Sequence, residues 1–458
     1  MATKSVTMTL DRPGGYFKGN TYAVDSRLAD MWISSGWAVL PGQTWAQPTA
    51  LLETRNAGAD QRLVNGVLPV SDSDGRLAGL ATAGGIPVQA RVGLSNYIGP
   101  TQLPKWRKAS ANVRLGVAHA RFGFVGDSTF RAAFSNGTVS GLYSGSIAAR
   151  CAYYLSNLYK IPATNDSFFG DGALGANGGS FATHDPRAGA LPAGWSVTTA
   201  VYTIGGNAFL CNSGTNPWPF TPTAPFDTYD IIHTTAPGNG TFAADVDGGA
   251  ATNVNTNATA SVTRTTVSAG SLGAHTINIR RVSGAFIIIG IVAYTTGTKT
   301  VQVDNLAIFS SKADQWNVST NPWDPLRAIG TYAAHLWALN LGINDMIFSR
   351  PVSSYMSHMQ AIITNMKVSG DVILFIPNEI GTGGSQTVTT PEFQLPYRNA
   401  IRKLALDNGL PLIDLTTRLG SYDAANTAGF MGDINHPNGV SQDDSGYFLA
   451  SVASMAAV

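Results

Sequence analysis

Seven strand-like runs follow one another between residues 191 and 304, and strand–helix alternation lies on either side of them. The runs are "SVTTAVYTI", "TYDIIHTT", "GTFAADVDG", "SVTRTTV", "HTINIRRV", "AFIIIGIVAY" and "KTVQVDNLAI". Turn residues separate them at short intervals, which is the pattern of an antiparallel sandwich. Ahead of them, "RFGFV" (121–125) reads as a buried strand and "SIAARCAYYLSNLY" (146–159) as a helix. Behind them, "YAAHLWALNL" (332–341), "DVILFIP" and "LPLIDL" read as strands. Helices in "SYMSHMQAIITNMKV", "EFQLPYRNAIRKLALDNG" and "SGYFLASVASMAA" alternate with them. Such alternation builds a parallel sheet with helices on both faces. The expected fold class is therefore α/β: a three-layer α/β/α parallel sheet over 111–190 and 305–458, interrupted by a β-sandwich module at 191–304.

The remaining chain divides in two. Residues 1–45 read as a small α+β module: "SVTMTL" alternates like a strand, "DRPGG" turns, and "DSRLADMWISSGWAVL" reads as a short helix. Residues 46–110 are rich in Gly, Ala, Pro and Gln and read as a linker or arm. Only 12% of the 458 residues are charged and the net charge is +1, so no basic field points to nucleic acid. The N-terminus lacks the apolar core of a signal peptide, and the longest apolar run, "AFIIIGIVAY", is strand-sized rather than membrane-spanning. Synthesis in the cytoplasm is the corresponding expectation. Cys151 and Cys211 make neither a disulfide framework nor a zinc site and read as buried thiols.

The strand "RFGFV" stops at Gly126-Asp127-Ser128, with a helix-like stretch after it. Ligands on open parallel sheets sit beyond the carboxyl ends of the strands. Ser128 is at such an end. By itself the triplet reads as a turn with a helix N-cap, and Phe130 rules out the G-x-S-x-G elbow. A serine nucleophile also needs an imidazole base, and the base needs a carboxylate to orient it. "GDINHPNG" (432–439) supplies Asp433 three residues before His436, on a loop ahead of the last helix. "NLGIND" (340–345) follows another strand. Gly342 permits a tight turn there, and the Asn344 amide can donate to an oxyanion without carrying charge.

Together "GDS", "GIND" and "DINH" resemble three of the four motif blocks of the SGNH hydrolases, the GDSL family of esterases and lipases. The resemblance covers about residues 115–456. Its remaining block falls in "DNLAIFSSKADQW" (304–316), where relatives read Asn-x-Gly-x-x-Gly with a tryptophan six residues on. Asn305 and Trp316 fit that frame, Ala307 replaces the first glycine and Ser310 the donor glycine, with Ser311 as the alternative donor.

The resemblance implies a mechanism. Ser128 attacks an ester carbonyl, His436 takes its proton, and Asp433 orients His436. The backbone N–H groups of Ser128 and Ser310 and the Asn344 amide hold the oxyanion. Gly126, Asp127 and Gly342 support the loops, Asp345 is structural, and no metal or cofactor is required. The β insert resembles those of carbohydrate-active esterases of this family, phage tail proteins among them, which implies an O-acetylated polysaccharide as substrate. Trp195, Trp218, Trp316 and Trp323 are candidate sugar platforms. Residues 1–45 resemble virion modules, which implies phage-tail association and other virion proteins as partners, with a homo-oligomer as a further expectation. A non-catalytic carbohydrate-binding virion protein with a decayed site, and a lipase or short-chain esterase, are the alternatives.

Overall fold

The computed structural model describes residues 3–8, 21–25, 38–39, 103–138, 141–173, 181–383 and 390–455. Two compact units divide the chain, with the boundary near Ser95. In the first, strands Thr3–Met8, Thr21–Asp25 and Ala38–Val39 form an antiparallel sheet with Thr3–Met8 in the middle. The helix expected over "DSRLADMWISSGWAVL" lies mostly outside the described residues, although Asp25 and Ala38–Val39 at its ends are strand.

The second unit is built on a six-stranded parallel sheet. Its strands are β1 (Ala120–Gly126), β2 (Ala163–Thr164), β3 (Val301–Asn305), β4 (Leu336–Asn340), β5 (Asp371–Ile376) and β6 (Leu412–Asp414). They lie in the order β6-β5-β4-β1-β3-β2. Its helices include α1 (Pro104–Arg114), α2 (Ile147–Asn157), α3 (Ala313–Trp316), α4 (Pro325–Tyr332), α5 (Ile343–Ile347), α6 (Val352–Ser369), α7 (Pro391–Asn408) and α8 (Gly439–Met455). On one face Trp106 of α1 packs against Phe122 at 5.7 Å between ring centroids and donates from Nε1 to the Ala453 carbonyl of α8 at 2.8 Å. On the other, Val125, Leu339, Leu374 and Ile376 form one core with Ile362 and Met366 of α6 and Ile401 of α7. The central strands are buried on both faces, which is why they read as continuous apolar runs.

The inserted strands form two antiparallel sheets. One is built from Trp195–Thr203, Gly206–Cys211, Phe226–Thr235, Ser261–Gly273 and Phe286–Tyr294; the other from Trp218–Phe220, Thr241–Val246, Thr252–Asn255 and Ile277–Ser283. Phe209, Tyr229 and Phe286 of the first share a core with Phe242, Ile277 and Ile279 of the second, so the pair is a sandwich. Val201, Ile204 and Ile289 join the core of the parallel sheet instead, which fuses sandwich and sheet into one body.

Four expected boundaries move. "KTVQVDNLAI", grouped with the antiparallel runs, contains β3, which pairs in parallel with β1 through Val301↔Ala120 to Asn305↔Phe124. Its alternation imitates an antiparallel strand, but Val301 to Asp304 are buried on both sides. In the other direction, Ser167–Phe169, placed in the α/β half, pairs with Phe286–Tyr294 and belongs to the sandwich. Helix α1 begins inside the expected linker and is held there by the buried Trp106. The stretch after Ser128 is a succession of turns rather than a helix, because Ala132 (φ 76°) and Phe134 (φ 59°) leave the helical region.

Candidate active site

Register brings the motifs together. β1 and β4 pair through Gly126↔Asn340, so Ser128 and Asn344 leave the same edge of the sheet on adjacent strands. On the other side of β1, Ile308 donates to the Gly126 carbonyl at 3.0 Å and carries Ser310 to that edge. The loop holding Asp433 and His436 docks beside them: Gly381, after β5, donates to Ile434 at 2.8 Å, and the Asn378 amide donates to the Asn435 carbonyl at 3.0 Å.

Local sequence sets each turn. Gly126 has no room for a side chain, since a Cβ would lie 2.8 Å from the Asn340 carbonyl oxygen. The Asp127 carboxylate accepts from the N–H (2.9 Å) and hydroxyl (2.8 Å) of Thr129 and closes the turn that presents Ser128. Thr129 is in turn held by the Asn340 amide at 3.0 Å and the Gln442 amide at 2.8 Å. Burial pushes the Asp127 carboxyl above its ordinary range. Gly342 has φ 138°, a conformation open to glycine, and starts α5 so that Asn344 and Asp345 lie in its first turn.

Ser128, His436 and Asp433 form one hydrogen-bonded chain. Ser128 Oγ lies 2.8 Å from His436 Nε2, and His436 Nδ1 lies 2.8 and 2.9 Å from the two Asp433 carboxylate oxygens. Asp433 also accepts the N–H groups of Asn435 (2.8 Å) and His436 (2.7 Å), which fix its rotamer. Burial pushes the Asp433 carboxyl up, but the bond to His436, its charge and these N–H groups more than reverse that, so it stays below its ordinary range. Asp433 therefore orients the imidazole as an ionised acceptor, leaving Nε2 for the serine. Ser128 is largely buried, with 7% of its surface exposed.

The expected oxyanion donors lie on segments that leave the same edge of the sheet. Among the described residues, the N–H groups of Ser128 and Ser310 donate to no protein acceptor. Ser310 is exposed and has φ 58°, a left-handed conformation that glycine adopts without strain. Ser311, the alternative donor, is excluded by its contacts: it is fully buried, its N–H donates to Ile308, and its hydroxyl donates to the Gly126 carbonyl at 3.1 Å. Trp316 Nε1 donates to that hydroxyl at 3.0 Å, so Trp316 is a buried strut rather than a sugar platform. Trp195 and Trp218 are buried in the sandwich core, and Trp323 packs against the core of the sheet. The Asn344 amide donates to the Ser311 carbonyl at 3.1 Å and has a second N–H to offer. Ser310→Gly keeps the backbone N–H and removes a left-handed strain of about 1 kcal/mol. Activity on p-nitrophenyl acetate is expected to stay within a few-fold of wild type, whereas a hydroxyl role for Ser310 would show as a loss of two decades or so.

Asp345 is the anchor behind this loop. Its carboxylate accepts the Ala313 N–H at 3.3 and 3.2 Å. Burial, with the charges of Asp314 and Asp127, pushes its carboxyl up to about 7, against the Ala313 bond. The folded state thus holds a proton there that the unfolded chain releases near the ordinary carboxylate value of about 3.9. Its contribution to stability is present at low pH and lost as pH rises from about 4 through 7. Thermal unfolding against pH should show a flatter profile over that window for Asp345→Asn than for wild type.

Two supports carry no motif. Phe134 stacks on the His436 ring, 5.4 Å between centroids and 28° between planes. Arg131, buried, donates to the carbonyls of Phe169 (3.1 Å), Ala307 (3.3 Å) and Gly170 (3.3 Å), and burial pushes its guanidinium down to about 10, still cationic at neutral pH. The one visible signal for it is a charge inside the apolar "TFRAAF". Asn305 donates to the Phe130 carbonyl at 2.8 Å and accepts from Ala307 at 3.1 Å, tying the second motif block to the first. Among the described residues, no cluster of three His, Cys, Asp or Glu side chains is placed to hold a metal ion.

No protein-family model matches the chain, and no curated protein matches it in sequence. Comparison with solved structures does find the fold. A peptidoglycan O-acetylesterase superposes with a TM-score of 0.54 at 13% identity, over 78% of this chain and 96% of the other. The core has the SGNH hydrolase fold. A family two carbohydrate esterase from Clostridium thermocellum aligns at 12% identity over 53% of this chain and 93% of its own, with a TM-score of 0.27. In that frame, the parallel sheet is the core and the antiparallel sandwich is the inserted module.

Proposed function

We propose that this chain is a serine carboxylic ester hydrolase that removes short acyl groups, acetyl foremost, from a polysaccharide. The observation that carries the reading is the Ser128–His436–Asp433 chain, with separations of 2.8 to 2.9 Å, at the carboxyl edge of an SGNH-type sheet.

His436 Nε2 takes the Ser128 proton as Oγ attacks the acyl carbonyl. Asp433 stabilises the imidazolium and keeps Nδ1 facing it. The carbonyl oxygen becomes an oxyanion held by the N–H groups of Ser128 and Ser310 and by the Asn344 amide. As the bond from the acyl carbon to the sugar oxygen breaks, the imidazolium gives its proton to that oxygen and the sugar leaves with a free hydroxyl. Water, deprotonated by the same imidazole, attacks the acyl-enzyme; as the bond to Oγ breaks, the imidazolium returns the proton to Oγ, releasing the acid and free Ser128. The proton transfers use Ser128, His436 and Asp433, which already lie within hydrogen-bonding distance of one another. The left-handed Ser310 supports an intact hole over a decayed one, since it offers a free N–H from a backbone conformation that suits glycine.

The carbohydrate substrate class is supported by the resemblance of the motif blocks and the β insert to carbohydrate-active esterases. The virion role rests on the sequence likeness of residues 1–45 alone. The test is acetate release, followed by proton NMR, from O-acetylated bacterial and plant polysaccharides, with p-nitrophenyl acetate as the ester control. Turnover of the control without acetate from any polysaccharide would remove the carbohydrate part of the reading. No turnover of either would remove the esterase.

A further inference from the structure

A cleft away from Ser128 lies between the C-terminal half of α2, strand β2 and two loops of the sandwich. It encloses about 420 Å³, within the range of small-ligand sites. We propose that it is a second carbohydrate-binding site, non-catalytic and suited to neutral sugar units of a glycan chain. It takes from the proposed function only the substrate class.

Its position follows from the sheet. Ala163 of β2 pairs with Val301, and Val301 pairs with Ala120, the first residue of β1. Ser128 follows the other end of β1. Six residues of strand at about 3.3 Å each separate the two levels by roughly 20 Å. A sugar in the cleft therefore does not reach the reacting atoms.

The lining has the chemistry of a site for uncharged polyols. Tyr153 of α2 is 46% exposed, and its ring is fixed edge-on against Tyr154 at 5.2 Å and 82°. That makes it a platform for a sugar face, apolar across the ring with a hydroxyl at the rim. Ala149, Ala152 and Ala163 add small apolar side chains to the lining. Hydroxyl and amide groups of Ser156, Asn157 and Thr164 edge it. Among the described lining residues Asp166 is the one acid, and no Lys or Arg is present. Asp166 is 8% exposed and committed to the wall: it accepts the N–H groups of Thr223 (2.7 Å) and Ala224 (3.2 Å), the Thr164 hydroxyl (3.0 Å) and Arg187 (3.2 Å). The carboxylate builds the cleft and offers no free charge to a ligand. With no cation in the lining, phosphate- and uronate-bearing ligands have nothing to pair with.

Such a site would keep a polymer on the enzyme between turnovers by raising its local concentration. The test uses the full chain and titrates cellohexaose, xylohexaose and chitohexaose by calorimetry, alongside Tyr153→Ala and the cleft-filling Ser156→Trp. At least one hexasaccharide is expected to bind wild type, with tenfold or greater loss of affinity in both variants. Turnover of p-nitrophenyl acetate is expected to stay within twofold of wild type in each. Binding unchanged by both substitutions, or no binding of any of the three sugars, would overturn the proposal. The binding arm reads independently of ester turnover, so failure of the esterase reading and failure of the second site are separate results.

Discussion

Ser128→Ala is expected to lower kcat/KM for p-nitrophenyl acetate by about three decades or more while leaving the fold intact. The removed oxygen bonds to His436 and to no other described residue, so its loss breaks no structural contact. The turn that presents position 128 is closed by Asp127 and Thr129, which the substitution leaves alone. Circular dichroism and thermal unfolding should match wild type. A folded Ser128→Ala protein with near-normal turnover would remove Ser128 from the chemistry.

Asn344→Ala is the second large effect. Removing one oxyanion donor lowers kcat by about two to three decades, equivalent to about 2.7–4 kcal/mol. KM should change little, because the bond strengthens as charge develops on the carbonyl oxygen. The same amide also holds the Ser311 carbonyl, so the variant loosens the loop carrying Ser310. Asn344→Asp separates the two contributions. It keeps the size of the side chain but replaces the donor with a negative charge facing the oxyanion, and it should be at least as slow as the alanine variant. Full activity in Asn344→Asp would show that the amide does not meet the oxyanion.

What the sequence made legible follows from burial and spacing. Central strands such as "DVILFIP" read correctly because both faces are covered and the apolar run is unbroken. β3 misled because its alternating valines satisfy the two-residue period of a half-exposed strand, although neighbours bury both of its faces. α1 is short, basic and next to a Gly- and Pro-rich stretch, and its one strong anchor, Trp106, reveals itself when α8 arrives from the far end of the chain. In the site, Ser128, Asp433 and His436 were legible because their chemistry demands those residue types, with Ser128 at a strand end and the Asp433–His436 pair on the loop before the last helix. Phe134 and Arg131 were not. Stacking on a residue some 300 positions away, and a guanidinium feeding three carbonyls from two other segments, leave no periodicity in the chain. The tryptophans misled in the opposite direction. Their aromatic surface suits sugars, but Trp195, Trp218 and Trp316 are spent on cores.

The central claim is that Ser128 is a nucleophile activated by His436. Its most direct test is covalent labelling with an ethyl p-nitrophenyl phosphonate ester, read by mass spectrometry of the intact chain and its peptides. The account predicts one phosphonyl group per chain, on the peptide containing Ser128, and labelling slowed by about three decades in His436→Ala. A label on another residue, or equal labelling rates in wild type and His436→Ala, would contradict it.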